Sequence, residues 1–534
     1  MKLLNFRKNN KVNFLLYALA AITYFLSTGK NAIPITGWLA PIFIILFINS
    51  HPKKKVALPL VFLLIFSLFS IKWTGYIPAP FPIYQIVCFG YCLFIFLPYL
   101  LHGLLYKKNS FLTTLLAPLS VVAVEYAWSI FSPFSSWGVT AYSMLGSPEL
   151  LQVLSITGVY GVSFVLYWLG SSVGYFVDNQ FSINIIKKPA LVVGTLLLLI
   201  FVYGNYRLHF HKAKSDAVKV AGITVTLSPA SLIFHDIDYV SEVGKPITSF
   251  DQLFLDLYIL NKVFSPDQKP KVQEWFRQTQ DSLLQLTERE ARNGAKIILW
   301  SEGNGVVLKE DEERFLKQIS EVAKAHKIFL LAALNTKELG NKLSENKIVA
   351  FDQNGNKVFQ YLKSNPVPGV ENSVAGDKKV RTVQTPYGRI ASVICFDADF
   401  PQMIRQASKS NADILLVPAY DWEDINPYHT YMSSLRGIEN GFSVVRQASN
   451  GWSAAFDNRG RQLSGMDYNT APEKVTISYV PTKASKTVYA IAGDWFALAA
   501  VAAWLLLIIW RIAFKRQLVI QPSHQYTGKA VAQV

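Results

Sequence analysis

Long apolar runs separated by basic connections constrain the fold more than any other feature of the sequence. A helix that crosses a bilayer needs about 20 mostly apolar residues. Eight runs approach or meet this length, at about 12–29, 32–50, 56–74, 83–105, 111–130, 150–177, 190–206 and 489–510. We therefore predict eight transmembrane helices, seven of them before residue 207. The second run follows the first closely and no small-residue cleavage site separates them, so we do not expect a cleaved signal peptide.

Basic residues mark every second connection between these runs. Lys and Arg cluster before the first run and after the second, fourth, sixth and eighth runs, whereas residues 76–82 between the third and fourth carry no charge. Positively charged connections stay in the cytoplasm. The pattern predicts that both termini are cytoplasmic and that residues 207–486 lie on the other side of the membrane.

Composition supports a membrane protein with one large water-soluble domain. Only 16% of all residues are charged, against about 25% in soluble proteins, and residues 207–486 alone have ordinary composition. We predict a membrane domain at 1–206, a catalytic domain at 207–486, a last transmembrane helix at 487–516 and a cytoplasmic tail at 517–534. The net charge of +16 forms no basic stripe with interleaved aromatic residues, so we expect no nucleic-acid partner.

Strands and helices alternate in the soluble domain. Strands apolar on both faces are predicted at "AKIILW" (295–300), "IFLLAAL" (328–334), "RIASVI" (389–394) and "ADILLVPA" (412–419). Further strands are predicted at 218–226, at "FSVVRQAS" (442–449) and at "SAAFDNRGR" (453–461). Helical spacing is found at 270–293, 311–326, 401–410 and 428–440, and 348–363 is typical of a hairpin with its turn at Asn354-Gly355. This alternation predicts a layered α/β domain with a covered sheet.

Three reactive side chains stand where predicted strands end, namely Glu302, Lys363 and Cys395. Cys395 is the only cysteine of the soluble domain, which excludes a disulfide within it. A cysteine nucleophile acts as thiolate, and the pKa of a free thiol is about 8.5. A nearby ammonium favours the thiolate and stabilises an oxyanion, and a carboxylate can move the proton. We therefore expect a reactive thiol with a lowered pKa.

The sequence around these residues resembles the nitrilase, or carbon–nitrogen hydrolase, superfamily. The phrases that carry the resemblance are "WSEGN" (300–304), "YLKSNPVPGVE" (361–371), "VICFDADFP" (393–401) and "RGIENGFSVVRQASNG" (436–451). The eight apolar runs and the stretch "SPELLQVLSITGVYGVSF" (147–164) narrow the resemblance to the apolipoprotein N-acyltransferase family. The resemblance implies an αββα sandwich that faces the periplasm from the bacterial inner membrane.

The resemblance also implies a reaction. Members of this family move an acyl chain from a phospholipid to the α-amino group of a lipoprotein's diacylglyceryl cysteine, by a ping-pong mechanism. It implies that Cys395 forms a thioester, that Glu302 is the general base and that Lys363 stabilises the oxyanion. Glu371, Asp397 and Trp422 are carried over as supporting active-site residues. Neither a cofactor nor a metal is expected.

The chain departs from the family pattern at several points. Phe396-Asp397 follows the cysteine where the family has Tyr-Glu, so the carboxylate is one methylene shorter and its hydrogen bonds must be re-aimed. The segment after Glu371 is short where the family has a long apolar arm. The segment 227–272 is long, and we interpret it as a lid that replaces this arm.

Two other functions remain open on the sequence alone. A membrane-tethered amidase or hydrolase would use the same residues with water as the acceptor, and a degenerate domain would only bind lipid or lipoprotein. A related acyltransferase with another donor or acceptor also fits. His429 is interpreted as a packing or rim residue. Glu125, the one acid within a predicted span, is a functional candidate, but an interfacial or helix-pairing role is equally consistent with its position.

Overall fold

A computed structural model describes residues 10–77, 80–210, 216–226 and 266–517 of the 534-residue chain. Most of the 227–272 segment, interpreted above as a lid, lies outside the described residues. So do residues 518–534 of the predicted tail and the basic residues before residue 10. The interpretations given for these parts therefore stay predictions.

The membrane part of the chain is built from apolar helices. They are α1 (Asn10–Leu26), α2 (Pro34–Ser50), α3 (Lys54–Lys72), α4 (Phe81–Leu105), α5 (Leu116–Phe131), α6 (Pro148–Leu151), α7 (Leu154–Thr157), α8 (Val159–Asp178) and α9 (Ile183–Asn205). Six helical stretches of the described chain are long and apolar enough to cross a bilayer. These six are Lys54–Lys72, Phe81–Leu105, Phe111–Phe131, Val159–Asp178, Ile183–Phe210 and Trp495–Ala513.

The other two predicted spans correspond to α1 and α2. Each is an apolar helix of 17 residues, shorter than the roughly 20 residues that usually cross the hydrocarbon core. α1 packs on α2, and α2 packs on α8, so both belong to the same helical bundle. Length and composition therefore support six of the eight predicted spans, and the crossing by α1 and α2 stays a prediction.

Two boundaries differ from the sequence prediction for physical reasons. The span predicted at 150–177 begins at Val159, because the preceding Gly158 has φ +66° and ψ −172°, a conformation outside the helix. The span predicted at 190–206 begins at Ile183. It therefore includes the basic pair Lys187 and Lys188, whose long stems can carry their ammonium groups to water from a helix end.

The soluble domain contains two sheets. The strands are β1 (Ala217–Ile223), β2 (Ile297–Trp300), β3 (Gly305–Leu308), β4 (Phe329–Lys337), β5 (Glu345–Phe351), β6 (Lys357–Leu362), β7 (Arg381–Thr385), β8 (Gly388–Ser392), β9 (Ile414–Tyr420), β10 (Ser443–Ser449), β11 (Trp452–Phe456), β12 (Gln462–Asp467) and β13 (Val475–Pro481). The first sheet has the order β13-β1-β2-β4-β5-β6, with β3 beside β4, and the second has the order β12-β11-β10-β9-β8-β7.

Helices cover the outer faces of the two sheets. They are α10 (Lys269–Arg292), α11 (Glu312–His326), α12 (Pro401–Lys409) and α13 (Tyr428–Asn440), and the chain continues with α14 (Val488–Ala492) and α15 (Trp495–Gln517). α10 and α11 pack on the first sheet and α13 on the second, while the inner faces of both sheets contribute to one apolar core. The predicted layered α/β domain is confirmed.

Strand direction sets the position of the site. β1, β2 and β4 are parallel in the first sheet, as are β8, β9 and β10 in the second. β6 is antiparallel to β5, which is antiparallel to β4, so β6 also runs in the direction of β2. The carboxyl ends of these parallel strands therefore meet at one edge of each sheet, where ligands bind in α/β domains.

Candidate active site

The three predicted catalytic side chains directly follow such strand ends. Glu302 comes two residues after β2, Lys363 one residue after β6, and Cys395 three residues after β8. All three are buried, with exposed fractions of 6%, 0% and 3%. A buried charge is stabilised only when it is paired and hydrogen-bonded, so the partners of these groups decide what they can do.

Lys363 is held between two carboxylates. Its Nζ donates a hydrogen bond to Glu302 Oε1 at 2.7 Å and another to Glu371. Burial lowers the pKa of Lys363, but Glu302 and Glu371 outweigh it and keep the pKa well above its ordinary range. The lysine is therefore an ammonium at any physiological pH, in position to stabilise negative charge.

Glu302 is fixed by donors on both of its oxygens. Besides Lys363, Asn346 Nδ2 donates to Oε1 at 2.7 Å, and the backbone N–H of Tyr420 donates to Oε2 at 2.8 Å. These four groups come from different strands or strand ends, so the Glu302 carboxylate cannot turn without breaking hydrogen bonds. A fixed carboxylate of this kind can act as a general base.

Cys395 begins a short helical turn in a strained conformation. Its φ is +47°, in the left-handed region that costs a residue other than glycine about 1–3 kcal/mol. Its Sγ donates to the backbone oxygen of Tyr420 at 3.5 Å, and Arg446 Nη2 donates to Sγ at 3.8 Å. Such strain occurs at functional positions, where the surrounding structure holds one geometry.

The pKa of the thiol differs from the sequence expectation. Burial and then Glu302 raise the pKa of Cys395 well above its usual range, against the opposing effects of Lys363 and Arg446. The expectation of a lowered thiol pKa is therefore wrong, although Lys363 itself acts in the expected direction. The resting thiol is neutral, because the loss of hydration exceeds the attraction of the two nearby cations.

The backbone of Tyr420 connects the base to the nucleophile. Its N–H bonds Glu302, and its carbonyl oxygen accepts the bond from Cys395. Within the described chain, the hydrogen bonds of Cys395 go to Tyr420 and Arg446 rather than directly to Glu302 or Lys363. Sequence reasoning missed this role because it depends on the main chain at the end of β9 and not on a side-chain type.

A buried ionic cluster lies behind the thiol. Arg446 donates to both oxygens of Asp421, at 2.6 and 2.8 Å. His429 Nδ1 is 2.9 Å from Asp421 Oδ1, and its Nε2 is 2.8 Å from Asp399 Oδ2. Burial lowers the pKa of His429, but Asp399 and Asp421 outweigh it and the pKa is raised. His429 is therefore a buried residue held by two carboxylates, and not a rim residue.

The sequence contained one signal for this cluster. Arg446 stands in the middle of β10, whose residues are all buried, and a cation in such a strand needs a buried acid. Cys395, Asp421 and His429 also place one ligand atom each within 4.8 Å of the others, a spacing compatible with a metal. The guanidinium of Arg446 stands among these atoms, 2.8 Å from His429 Nδ1, and does not favour a second cation there.

Asp397 binds the segment that follows β6. Its Oδ2 accepts from Tyr361 Oη at 2.6 Å and from the N–H of Ser364, and its Oδ1 accepts from the N–H and Nδ2 of Asn365 at 2.8 Å. These donors belong to residues on both sides of Lys363 along the chain. The shorter carboxylate is therefore a positioning group for the lysine.

Trp422 lies against the membrane helices. Its Nε1 donates to the backbone oxygen of Gly75 at 2.8 Å, in the connection after α3. Asp399 makes a second such contact, because its Oδ2 accepts from Trp137 Nε1 at 2.7 Å. Of the predicted supporting residues, Glu371 and Asp397 thus contact or flank Lys363, whereas Trp422 joins the soluble domain to the membrane part.

Comparison with known proteins gives the chain two family matches in sequence. The family "Apolipoprotein N-acyltransferase N-terminal domain" matches residues 20–172, and the family "Carbon-nitrogen hydrolase" matches residues 268–484. Among solved structures, an amidase from Nesterenkonia sp. is similar over 51% of this chain and 93% of its own, with 16% identity and a TM-score of 0.38.

Two curated relatives are apolipoprotein N-acyltransferases. The protein of Rickettsia bellii is 24% identical over 368 residues, which are 62% of this chain and 63% of the relative, just under two thirds of its length. The protein of Borreliella burgdorferi is 23% identical over 544 residues, which are 92% of this chain and 94% of the relative. With both family matches in the same order along it, the chain belongs to the apolipoprotein N-acyltransferase family.

Proposed function

We propose that this protein transfers a fatty acyl chain from a phospholipid to the α-amino group of a lipoprotein's N-terminal diacylglyceryl cysteine. The membership of the family supports a lipoprotein N-acyltransferase. The observation that carries the proposed mechanism is the fixed Glu302–Lys363 pair, linked to the strained Cys395 through the backbone of Tyr420.

The first half of the reaction forms an acyl-enzyme. Glu302 accepts the proton of the Cys395 thiol as the sulfur attacks the ester carbonyl of the donor. Lys363 stabilises the negative charge that develops on the carbonyl oxygen. The tetrahedral intermediate collapses, the lysophospholipid leaves with the proton from Glu302, and the acyl chain stays on sulfur as a thioester. The raised pKa of the thiol supports proton removal during attack rather than a resting thiolate.

The second half transfers the chain to an amine. The neutral α-amino group of the acceptor attacks the thioester carbonyl, and Glu302 accepts the proton that the nitrogen loses. Lys363 again stabilises the oxyanion. The carbon–sulfur bond breaks, the sulfur regains a proton from Glu302, and the product is an amide. Both halves use the same three groups, which fits a ping-pong order.

The contacts between the two parts of the protein support lipid substrates. Asp399 and Trp422 tie the soluble domain to Trp137 and Gly75 of the membrane part. Cys395 and Asp399 belong to the same short helical turn, so the nucleophile lies close to this junction. A donor could then present its ester to the thiol without leaving the bilayer. We also propose the inner membrane as the location and the periplasmic side as the side of the soluble domain.

The proposal is tested by acyl transfer to a synthetic diacylglyceryl-cysteine peptide. The purified full chain should N-acylate the peptide in the presence of phospholipid, and Cys395→Ser or Glu302→Gln should abolish the product. Cys88→Ser is the matched control, because this buried thiol of α4 lies in the membrane part, and it should retain activity. Release of free fatty acid at the same rate with and without peptide would instead favour a membrane-tethered hydrolase.

A further inference from the structure

A cavity lies in the membrane part, and Cys395 does not line it. Its volume is about 90 Å³, and it lies between α1, α2, α3, α4, α5 and α8. Tyr428 of the soluble domain also lines it, whereas Glu302, Lys363 and Cys395 do not. Phe94, another lining residue, is 42% exposed, so the cavity reaches the outer surface of the bundle.

Unpartnered polar atoms converge on this cavity. Five lining residues each have a buried polar atom without a hydrogen-bond partner in the described part of the chain. These atoms are Tyr24 Oη, Thr28 Oγ1, Trp73 Nε1, Glu125 Oε2 and Trp128 Nε1. Buried polar groups are nearly always hydrogen-bonded, so each exception needs a water molecule, an ion or a ligand. Five exceptions at one cavity indicate that it holds polar groups from outside the chain.

Glu125 gives the cavity its charge. Its Oε1 accepts from the backbone N–H of Thr140 at 2.8 Å and from Thr140 Oγ1 at 2.6 Å, and the hydroxyl of Ser163 lies beside the same carboxylate. The side chain is 9% exposed. Among the described residues that line the cavity, Glu125 is the only acid and there is no Lys, Arg or His. A carboxyl group in such surroundings is either protonated or paired with a cation.

The walls of the cavity fit an organic cation. The rings of Tyr91 and Trp128 lie 4.6 Å apart at nearly right angles, and Phe69 stacks between Tyr91 and Trp73 at 5.0 Å from each. Aromatic faces beside a carboxylate are the chemistry that recognises alkylammonium groups. The indole N–H groups and hydroxyls are donors for the ester or phosphate oxygens of the same molecule.

We propose that this cavity binds the ammonium-bearing head of an amphiphile, with Glu125 as its counter-ion. Two sources have this chemistry, namely a phospholipid with an amine headgroup and the α-ammonium of a lipid-modified protein N-terminus. Only the choice between these sources rests on the proposed acyl transfer. Binding of the ammonium group does not depend on acyl transfer, because Cys395 does not line the cavity.

Native mass spectrometry of the detergent-solubilised full chain tests the proposal. The Cys395→Ala protein is used so that no lipid is consumed, and it is titrated with ethanolamine, choline and glycerol phospholipids of identical acyl chains. We expect the first ethanolamine or choline lipid to bind about tenfold more tightly than the glycerol lipid, and Glu125→Gln to remove this preference. Glu149→Gln, an acid of α6 outside the cavity, should keep it.

A second variant separates recognition of the ammonium group from recognition of the other polar groups of the lipid head. Trp128→Phe keeps an aromatic ring but loses the Nε1–H donor, so it should weaken all three lipids alike, by a few-fold, without changing the preference. This variant also tests the cavity if Glu125→Gln does not fold. No head preference in the parent protein would mean that the cavity holds only water. A preference that survives Glu125→Gln would mean that the lipid head is recognised elsewhere, and either result overturns the proposal.

A diacylglyceryl-cysteine peptide distinguishes the two sources. Displacement of the bound ethanolamine lipid by the peptide with a free α-amine, but not by its N-acetylated form, assigns the cavity to the acceptor. Bound lipid that resists both peptides assigns it to the phospholipid. In either case the ammonium site stands whether or not the protein transfers acyl chains.

Discussion

At the scale of single residues, burial controls the chemistry of the nucleophile. Cys395 is almost fully enclosed, and Glu302 adds a negative charge nearby, so its pKa is raised despite Lys363 and Arg446. The sequence indicated that Glu302 and Lys363 come together, because reactive types stood at strand ends. It could not indicate the sign of the pKa shift, since the loss of hydration depends on atoms from many segments.

The first prediction concerns the pH dependence of thiol alkylation. Because the folded pKa of Cys395 is raised, the thiolate fraction is small at neutral pH and grows only as the pH rises above the free value of about 8.5. The alkylation rate measured with a small reagent should therefore have its midpoint above this value.

The variant Glu302→Gln provides the control for this pH profile. It removes the negative charge that raises the pKa, so the midpoint should move to lower pH. A midpoint below that of free cysteine in the parent protein would contradict the account and would restore the lowering by Lys363 expected from the sequence.

The second prediction concerns Asp397, where the chain departs from its family. The carboxylate is fully buried and accepts bonds from Tyr361, Ser364 and Asn365. The added methylene of Asp397→Glu should cost about 1–3 kcal/mol of unfolding free energy and slow acyl transfer on the order of 10–100-fold by shifting Lys363.

Thermal unfolding and peptide acylation measure these two effects. The nearby Asp377→Glu is the matched control, because Asp377 is exposed and pairs with Arg381 at the surface, and it should change neither quantity. Unchanged acylation in Asp397→Glu would show that this carboxylate does not position the lysine.

At the scale of helices and strands, the sequence predicted the central strands of the two sheets better than the edge strands. The apolar strands β2, β4, β8 and β9 were predicted close to their observed positions, and the hairpin of β5 and β6 turns at Gly355 as expected. Four strands were missed. β7, β12 and β13 are sheet edges with exposed residues, and β3 has only four residues, so none of them shows a long apolar run.

The third prediction tests the break before α8. Gly158 combines φ +66° and ψ −172°, a region that is essentially restricted to glycine, and a Cβ there would lie 2.6 Å from Tyr489 Cε2. Gly158→Ala should therefore destabilise the protein by about 1–3 kcal/mol and loosen the contact between α7 and α14.

Thermal unfolding in detergent measures this effect against a second glycine. A Cβ at Gly194 of α9 meets no atom within 4 Å, so Gly194→Ala should be neutral or slightly stabilising, as alanine is in a helix interior. Equal melting temperatures for the two variants would show that the break before α8 does not need a glycine.

At the scale of the whole molecule, membrane topology decides where the chemistry takes place. The apolar runs and basic connections of the sequence predict eight membrane crossings. Six helical stretches of the described chain are long and apolar enough to cross a bilayer. The sequence overestimated the length of the first run, which ends at Leu26 rather than near residue 29. Whether α1 and α2 cross decides on which side of the membrane the connection between them lies.

The fourth prediction tests both short helices with alkaline phosphatase, which is active only outside the cytoplasm. A fusion after Ala32, between α1 and α2, should be active, and a fusion after Lys53, between α2 and α3, should be inactive. The same low activity at both positions would mean that α1 and α2 do not cross the membrane.

The central claim is that Cys395 carries the acyl chain, and peptide mass spectrometry tests it most directly. The full chain is incubated with phospholipid and no acceptor, then digested. We predict one fatty acyl mass on the peptide that contains Cys395, released by hydroxylamine and lost when a diacylglyceryl-cysteine peptide is added, with Cys88 and Cys92 unlabelled. An unmodified Cys395 while the phospholipid is consumed would contradict the account.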